Sequence, residues 1–365
     1  MLKIGIVGLP NVGKSTLFNA LTKASVPAEN YPFCTIDPSV GVVGVPDARL
    51  ALLASFSKTE KIIPAAIEFV DIAGLVKGAA TGEGLGNQFL ANIRETDAIL
   101  QVVRFFDDPN VLHVDANIEP YKDIEIINME LVLADAEQVR KRRDKLARDI
   151  KAGDKDATVE DAVLAKLEQG FGEGKLALHA GLLPDEQKLI AYLNLLTMKP
   201  ILYALNRKSG GQNLDALADG RAERAFDLIK TLGGRYVFVD AATERELNDV
   251  ADGDRADFRE ELGVSEDGLA GLIRGAYETL GLISFFTTGV VETRAWTIKE
   301  GSTAPEAGAA IHNDFLEKFI RAEVVATDDL LAAGSYAVAR ETAKVRTEGK
   351  EYIVKDGDVM VFLHG

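Results

Sequence analysis

Short apolar runs alternate with amphipathic stretches over roughly the first 115 residues of the chain. Residues 3–7, 67–70 and 98–103 are apolar runs of strand length. Such continuous runs are typical of strands buried on both faces, and their alternation with helices indicates a parallel sheet. The same texture returns at residues 200–205 and 236–239. We therefore predict that both stretches belong to one α/β domain.

Between these two stretches the periodicity changes to that of long helices. Ile124, Ile127 and Leu131 repeat at helical spacing, and the polar segment 153–156 interrupts the pattern. A second helical stripe follows at Val159, Val163, Leu167 and Phe171. Two charged helices joined by a short polar turn are typical of an antiparallel helical hairpin. Because the α/β pattern resumes afterwards, we predict that the hairpin is an insertion in the first domain.

From about residue 282 the chain consists of short alternating segments, such as 295–298 and 358–363. One helix is predicted between them, over residues 307–319. This mixture is typical of a small α+β module. The patterns together predict four segments: the first part of the α/β domain at 1–121, the hairpin at 122–197, the second part of the domain at 198–280, and the C-terminal module at 281–365.

The first apolar run leads directly into the segment GLPNVGKS at residues 8–15, which has the spacing of a phosphate-binding loop. Its two glycines let the backbone curl so that successive N–H groups point at the phosphates. Lys14 neutralises the outer phosphates, and the Ser15 hydroxyl ligates Mg²⁺. The helix that follows adds its dipole. We predict that the chain binds a nucleoside triphosphate through Asn11, Val12, Gly13, Lys14, Ser15 and Thr16.

A second motif, DIAG at residues 71–74, follows a buried strand about 60 residues later. Asp71 is predicted to hold a Mg²⁺-bound water, and the Gly74 N–H to sense the γ-phosphate in catalysis. Between the two motifs, Thr35 is the candidate that completes Mg²⁺ coordination, with an ordinary loop threonine as the alternative. The adjacent Cys34 is either a redox-sensitive thiol or a small buried residue.

The composition narrows the class of protein without changing these predictions. With 47% hydrophobic and 27% charged residues, the 365-residue chain suits ordinary globular cores. The net charge of −16 argues against general coating of nucleic acid, so any RNA contact needs a local basic patch. A single cysteine, no apolar segment of membrane-spanning length and no room for a signal peptide before the first strand predict a cytoplasmic protein.

With these motifs the chain resembles the YchF/Obg-like ATPase family over nearly its whole length. The resemblance rests on the phosphate loop, on residues 30–38, 71–79 and 82–89, and on the C-terminal segments 294–298 and 356–358. It implies a G domain interrupted by a helical hairpin and followed by a ubiquitin-like TGS module. It also implies that His113 positions the attacking water and that Phe106 packs on the base. For both residues an ordinary structural role is the alternative.

Leu75 departs from many switch GTPases, which place a water-orienting glutamine directly after this motif. An apolar side chain cannot orient water, so hydrolysis is slow or another group performs this task. By resemblance, that group is His113. Asn11 is similar to the residue that helps to hold a monovalent cation in potassium-responsive relatives, which makes K⁺ a candidate second ion.

The base specificity depends on the segment after the strand at residues 200–205. Guanine-specific switches carry Asn-Lys-x-Asp there, whereas this chain has Asn206-Arg-Lys-Ser209. Ser209 cannot supply the charged acceptor, and hydrogen bonds to charged groups contribute about 1.5–3 kcal/mol each. The family's usual motif ends in Glu, so Ser209 departs from the resemblance too. We predict base contacts from Asn206 and the Arg207 backbone, and ATP binding at least as tight as GTP binding.

The hairpin carries a local excess of positive charge. Within residues 138–151, two acidic residues accompany seven basic ones: Arg140, Lys141, Arg142, Arg143, Lys145, Arg148 and Lys151. A solvated helix face is the usual meaning of such a run. A basic arm on an acidic body can also bind phosphates selectively. Together with the resemblance to a TGS module, this predicts the ribosome or a ribosomal subunit, through its RNA, as the partner.

Three functions are compatible with these observations. The first is a nucleotide-switched ATPase that regulates translation or the stress response. The second is a nucleotide-gated binding module whose turnover is incidental, which Leu75 keeps open. A metabolic phosphate-loop kinase is the weakest, because nothing resembles a pocket for an acceptor substrate.

Overall fold

The computed structural model describes residues 1–26, 31, 37, 39–72, 85–108, 118–251, 253–262 and 268–364. The strands in this part of the chain are β1 (Lys3–Val7), β2 (Val40–Gly44), β3 (Ile62–Ile63), β4 (Ala66–Asp71), β5 (Ala98–Arg104), β6 (Phe106–Asp107), β7 (Ile201–Asn206), β8 (Gln212–Asn213), β9 (Arg235–Val239), β10 (Leu282–Thr288), β11 (Thr293–Lys299), β12 (Phe319–Ala326), β13 (Arg346–Glu348) and β14 (Asp358–His364).

The α-helices are α1 (Lys14–Lys23), α2 (Ala48–Ser57), α3 (Leu85–Arg94), α4 (Pro120–Lys151), α5 (Lys155–Gly172), α6 (Pro184–Ile190), α7 (Leu214–Leu217), α8 (Arg221–Thr231), α9 (Ala241–Leu247), α10 (Arg255–Glu261), α11 (Gly268–Thr279), α12 (Ala304–Ile311), α13 (Asp314–Glu317), α14 (Thr327–Ala333) and α15 (Tyr336–Glu341). Within the described ranges, none of them combines the length and the apolar character that crossing a membrane requires.

The first sheet has the strand order β2-β4-β1-β5-β7-β9. All its strands run parallel except β2, which is antiparallel to β4. The apolar runs of the sequence become β1, β4, β5, β7 and β9, and β5 and β7 are buried along their whole length. Because the parallel strands end at the same edge of the sheet, the segments that follow β1, β4 and β7 meet there.

The insertion begins with the long hairpin formed by α4 and α5. Gly153 turns the chain at a φ of 87°, and the Asp154 carboxylate caps α5 by accepting from the N–H groups of Asp156 and Ala157 at 2.9 and 3.1 Å. α4 begins at Pro120, so the predicted start of the insertion at residue 122 lies inside this helix. Proline suits the first helical position because its missing N–H would have no helical partner there.

A buried carboxylate joins the base of the hairpin to the first domain. Asp135 of α4 accepts hydrogen bonds from the N–H groups of Leu196 and Thr197 at 3.0 and 2.8 Å, and from the Thr197 hydroxyl at 2.8 Å. Arg94, the last residue of α3, donates to the same carboxylate at 3.2 Å. Burial raises the pKa of Asp135, while these hydrogen bonds and the charge of Arg94 act against that rise. The base of the hairpin is therefore tied to the end of α3.

The C-terminal sheet has the order β13-β12-β14-β10-β11-β3 and forms an α+β layer with α12 to α15. Phe285, Phe319 and Met360 lie in its core. One strand of this sheet, β3, comes from the first segment of the chain and pairs in parallel with β11. This sheet therefore includes residues from before the predicted boundary at residue 281. The division of the chain into four segments stays a prediction.

The single helix predicted over residues 307–319 is wrong. α12 ends at Ile311, the short α13 covers Asp314–Glu317, and Phe319 starts β12. The apolar spacing continued through this region, but Phe319 and Ala322 face the core as members of a strand. Tertiary pairing with β14 decides the conformation here, because the apolar spacing over so short a stretch suits a helix and a strand alike.

Candidate nucleotide site

The phosphate loop joins the end of β1 to the start of α1 in a conformation that depends on glycine. Gly8 and Gly13 have φ angles of 153° and 102°, in the region that side chains rarely adopt. A Cβ atom on Gly8 would lie 2.5 Å from the carbonyl oxygen of Val102, and one on Gly13 would lie 2.3 Å from Nδ2 of Asn206. Backbone conformation and neighbouring atoms therefore both fix the path of the loop.

The start of α1 is suited to binding an anion. Gly13 precedes the helix and supplies no side-chain cap, and the first turn contains no acidic residue. The N–H groups of a first turn lack helical acceptors, and together with the helix dipole they attract negative charge. At this end of the helix Ser15 is exposed and Thr16 is half-buried. The loop also holds Asn11, which is exposed, and Val12, which is buried.

Lys14 and Asp71 form a partly desolvated pair of opposite charges beside the loop. Lys14 is only 8% exposed, and its Nζ donates to the Leu9 carbonyl at 2.7 Å. Burial lowers the pKa of Lys14, and the charge of Asp71 opposes that effect. Asp71 ends β4 in register with Ile6 of β1, and burial raises its pKa against the attraction of Lys14. Because charges interact more strongly where water is displaced, this position favours charged ligands.

Asn206, at the end of β7, connects the phosphate loop to the start of α9 through its side-chain hydrogen bonds. Its side chain is buried, with Nδ2 donating to the Val12 carbonyl at 2.9 Å and Oδ1 accepting from the Ala241 N–H at 3.1 Å. The amide predicted to contact the base is thus engaged with backbone on both of its polar atoms. The sequence separation of 194 residues between Asn206 and Val12 made this contact invisible to pattern analysis.

Arg207 is also engaged within the protein. Its backbone N–H donates to the Val239 carbonyl at 2.8 Å. Its guanidinium pairs with Asp215 and lies 3.5 Å from the ring centre of Phe238. Because the Arg207 N–H is already engaged, the predicted base contact of this backbone would have to use the carbonyl oxygen.

An acidic residue that the sequence analysis did not single out stands next to Ser209. Asp240 accepts from the Ser209 N–H at 2.6 Å and from the Thr243 hydroxyl at 2.8 Å. Its other oxygen caps α9 by accepting from the N–H groups of Ala242 and Thr243 at 3.1 and 3.0 Å. The signal was present, since Asp directly after an apolar strand and before a helix is typical of a helix cap. Both oxygens of the Asp240 carboxylate thus already accept hydrogen bonds from the protein.

Phe106 lies in a two-stranded ribbon, where β6 pairs with β8. The ring is half-buried, and the guanidinium carbon of the fully buried Arg104 lies 4.8 Å from its centre. The Asn213 side chain accepts from the Lys208 N–H at 2.9 Å and donates to its carbonyl at 3.1 Å, which ties the ribbon to the segment after β7. Phe106 therefore sits next to the segment predicted to contact the base.

Three predicted site residues lie outside the described residues: Thr35, Gly74 and His113. The same holds for Cys34 and Leu75. The structure brings together the phosphate loop, Asp71, Asn206 and Arg207 around one edge of the first sheet.

The positive charge of the hairpin is divided between arginines that pair across it and cations that face solvent. Arg142 forms two hydrogen bonds with Glu160 of α5, at 2.7 and 2.8 Å, and Arg143 pairs with Asp161 and Glu168. These two arginines therefore connect α4 to α5, beside the apolar contact between the two helices. The remaining cations form the basic face of α4, which consists of the exposed residues Arg140, Lys141, Lys145, Arg148 and Lys151. Of the predicted basic run, this face is the most exposed part, whereas Arg142 and Arg143 are half-buried and paired.

A phosphate-binding loop between a central parallel strand and a helix, with an aspartate at the end of the neighbouring strand, defines a P-loop NTPase with a G-domain fold. Residues 3–135 match the family described as 50S ribosome-binding GTPase. Residues 282–364 match the C-terminal family of YchF-type GTPases, described as a protein of unknown function.

Proteins of known name match over almost the whole chain. The chain is 49% identical over 361 residues to the ribosome-binding ATPase YchF of Bacillus subtilis and 48% identical over 361 residues to that of Shigella flexneri, and each match spans 99% of this chain and 98% of the relative. The solved YchF GTPase of Schizosaccharomyces pombe matches with a TM-score of 0.86 at 36% identity, over 99% of this chain and 97% of that one. The chain belongs to the YchF family. The predicted fold class, a G domain with an inserted helical hairpin and a TGS-type C-terminal domain, is confirmed.

Proposed function

We propose that this chain is a magnesium-dependent, nucleotide-switched ATPase that acts in the cytoplasm with the ribosome, as a regulator of translation or of the stress response. The observation that supports it best is the pair of Lys14 and Asp71 beside the uncapped start of α1. The name of the two bacterial relatives, ribosome-binding ATPase, agrees with both the activity and the partner proposed.

Ser15, Thr35 and Asp71 are the residues that we propose for Mg²⁺. Their hydroxyl and carboxylate oxygens are the ligands that this hard cation prefers, and the half-buried Asp71 offers a carboxylate whose charge is only partly offset by Lys14. Bound there, Mg²⁺ would neutralise charge that develops on the β- and γ-phosphates. Asn11 is proposed to help to hold K⁺ beside them.

The chain's own groups carry the rest of the proposed mechanism. Lys14 binds the outer phosphates as a point charge, while the N–H groups of the loop and of the first turn of α1 hold the remaining oxygens. The Gly74 N–H contacts the γ-phosphate, so its segment changes state when that phosphate leaves. Because Leu75 does not orient water, turnover without a partner is slow.

ATP is expected to bind at least as tightly as GTP. Guanine recognition needs a free charged acceptor, and the oxygens of Asp240 beside Ser209 already accept hydrogen bonds from the protein. Calorimetric titration with both nucleotides in the presence of Mg²⁺ measures the preference. The variant Ser209→Asp restores an acceptor and is expected to raise the affinity for GTP relative to ATP by about tenfold. A GTP affinity about 100-fold above that for ATP in the unmodified protein would favour the alternative, a GTP-preferring switch.

Replacing His113 with alanine is expected to slow ATP hydrolysis by about 100-fold while the affinity for ATP stays unchanged, because a neutral imidazole accepts a hydrogen bond from the attacking water. Steady-state turnover and calorimetry measure the two effects separately. His312, an exposed histidine of the C-terminal domain, provides the control variant His312→Ala, which should keep the parental rate. Parental turnover in His113→Ala would contradict the assignment, and equal rates in K⁺ and Na⁺ buffers would remove the proposed role of Asn11.

A second candidate function is a nucleotide-gated binding module with incidental turnover. Leu75 favours it, because it stands where many switch GTPases have a water-orienting group. Single-turnover hydrolysis with and without ribosomes separates the candidates. Stimulation by ribosomes supports the ATPase, whereas an unchanged rate supports the binding module.

A further inference from the structure

The C-terminal sheet is hydrogen-bonded to the segment that leads into the nucleotide site. β3 pairs in parallel with β11, with Ile62 opposite Thr293 and Ile63 opposite Arg294. The Thr293 N–H donates to the Lys61 carbonyl at 3.0 Å. Two residues separate β3 from β4, and β4 ends at Asp71. The C-terminal sheet therefore pairs with the strand that directly precedes β4, and β4 ends at a proposed Mg²⁺ ligand.

Arg294 of β11 makes a second contact at the same place. Its guanidinium carbon lies 4.1 Å from the ring centre of Trp296 and 5.9 Å from the ring centre of Tyr31. Both distances are within the range of cation–π attraction, and the Arg294 side chain is only 16% exposed, which strengthens such contacts. Arg294 thus links its own strand, β11 of the C-terminal sheet, to Tyr31 of the first domain.

Tyr31 connects this contact to the nucleotide site. It is 8% exposed, packs against Val42, Ile63 and Ala66, and donates its hydroxyl to the Pro64 carbonyl at 2.9 Å. Pro64 lies between β3 and β4, so Tyr31 braces the connection that leads to Asp71. In sequence, Tyr31 also precedes the proposed Mg²⁺ ligand Thr35 by four residues.

We propose that Arg294 is a positioning residue for nucleotide turnover, acting through Tyr31 and the β3–β4 connection. This inference rests on the proposed ATPase activity and extends it to a residue of the C-terminal domain, far along the chain from the phosphate loop. If the contact also couples the binding free energies of the two regions, ATP binding alters the surroundings of Trp296, because coupling in binding is reciprocal. A partner bound to the C-terminal domain can bias turnover by the same route.

The chain carries its own reporter for this coupling. Trp296 is its only tryptophan, and its Nε1 donates to the Thr287 hydroxyl at 2.9 Å while Arg294 covers the ring. Addition of ATP with Mg²⁺ is expected to change the emission of Trp296 in a saturable way. The change should be reduced by at least about half in Tyr31→Phe, which keeps the ring and removes the hydroxyl that donates to the Pro64 carbonyl.

The decisive variants are Arg294→Ala and Arg294→Lys in the full-length chain, with Arg346→Ala as the matched control. The Arg346 guanidinium carbon lies 5.4 Å from the Tyr352 ring centre, on a strand at the opposite edge of the same sheet. We expect Arg294→Ala to lower kcat for ATP by about fivefold or more while ATP still binds. Arg294→Lys keeps the charge and should recover much of the rate, and Arg346→Ala should stay within about twofold of the parent.

Two results would overturn the proposal. One is a kcat and KM of Arg294→Ala equal to those of the parent. The other is an equal loss in Arg294→Ala and Arg294→Lys with ATP binding lost in both, since that is what a purely structural role would give. Failure of the proposed ATPase activity is recognised separately, because the unmodified chain would then bind ATP and change Trp296 emission without hydrolysing the nucleotide.

Discussion

Replacing Lys14 with alanine is expected to abolish productive ATP binding and so to lower ATP turnover by at least about 100-fold. In the structure this ammonium group is buried and donates a hydrogen bond to the Leu9 carbonyl at 2.7 Å. Burial lowers its pKa, so the charge is held at a cost in hydration that a phosphate group can offset. A phosphate bound at the start of α1 would offset this cost. The substitution removes the ammonium group that attracts the phosphate.

Calorimetry with ATP and steady-state turnover measure this effect. Lys23, at the other end of α1, provides the control: it is exposed and pairs with Asp249 at 2.6 Å. Lys23→Ala removes the same charge from the same helix and should keep ATP affinity within about twofold of the parent, because exposed ion pairs contribute little. If Lys14→Ala binds ATP as tightly as Lys23→Ala, the phosphate-binding role of the loop is wrong.

Reversal of charge on the basic face of α4 is expected to weaken binding to ribosomes by about 100-fold at low salt, because each cation that contacts a phosphate releases a counterion. The variant replaces with glutamate the four cations of this face that form no ion pair within the described residues: Arg140, Lys145, Arg148 and Lys151. Co-sedimentation with ribosomes over a salt series measures the effect, and ATP affinity should not change.

The structure also decides which arginines belong in that variant. Arg142 and Arg143 were part of the predicted arm, but they pair with Glu160, Asp161 and Glu168 across the hairpin. Their reversal would place like charges in contact and open the hairpin, which would confuse folding with binding. The control variant distributes the same change of charge over four exposed cations of the body without ion pairs among the described residues: Lys58, Lys230, Arg245 and Arg274. Equal binding by the two variants would contradict a role for the basic face.

The parts of the site that could be predicted are those formed by residues that are close together in the sequence. The phosphate loop needs two glycines at fixed spacing, a strand before it and a helix after it, and all of these are local. The contacts that shape the base side are not local: Asn206 meets Val12, and Ser209 meets Asp240, only after the strands are ordered. The spacing of residues cannot report which backbone groups those side chains satisfy.

The hairpin shows the same limit for charge. Its two helices and the turn at residues 152–154 follow from periodicity and from the capping residue Asp154. Which cations are paired depends on the rotation of α4 against α5, which turns Arg142 and Arg143 towards the carboxylates of α5 and leaves Arg148 exposed. A count of charges along the sequence therefore overestimates what a partner can reach.

The two-residue strand β3 belongs to the first domain by its place in the chain and to the second by its hydrogen bonds. A recombination that moved the C-terminal domain alone would therefore leave its sheet incomplete. A transplanted copy would present β11 without its edge partner, and the donor would keep Ile62 and Ile63 with no sheet to join. An exchange of the domain between relatives leaves the sheet complete only where the recipient chain supplies a strand equivalent to β3, more than 200 positions before β11.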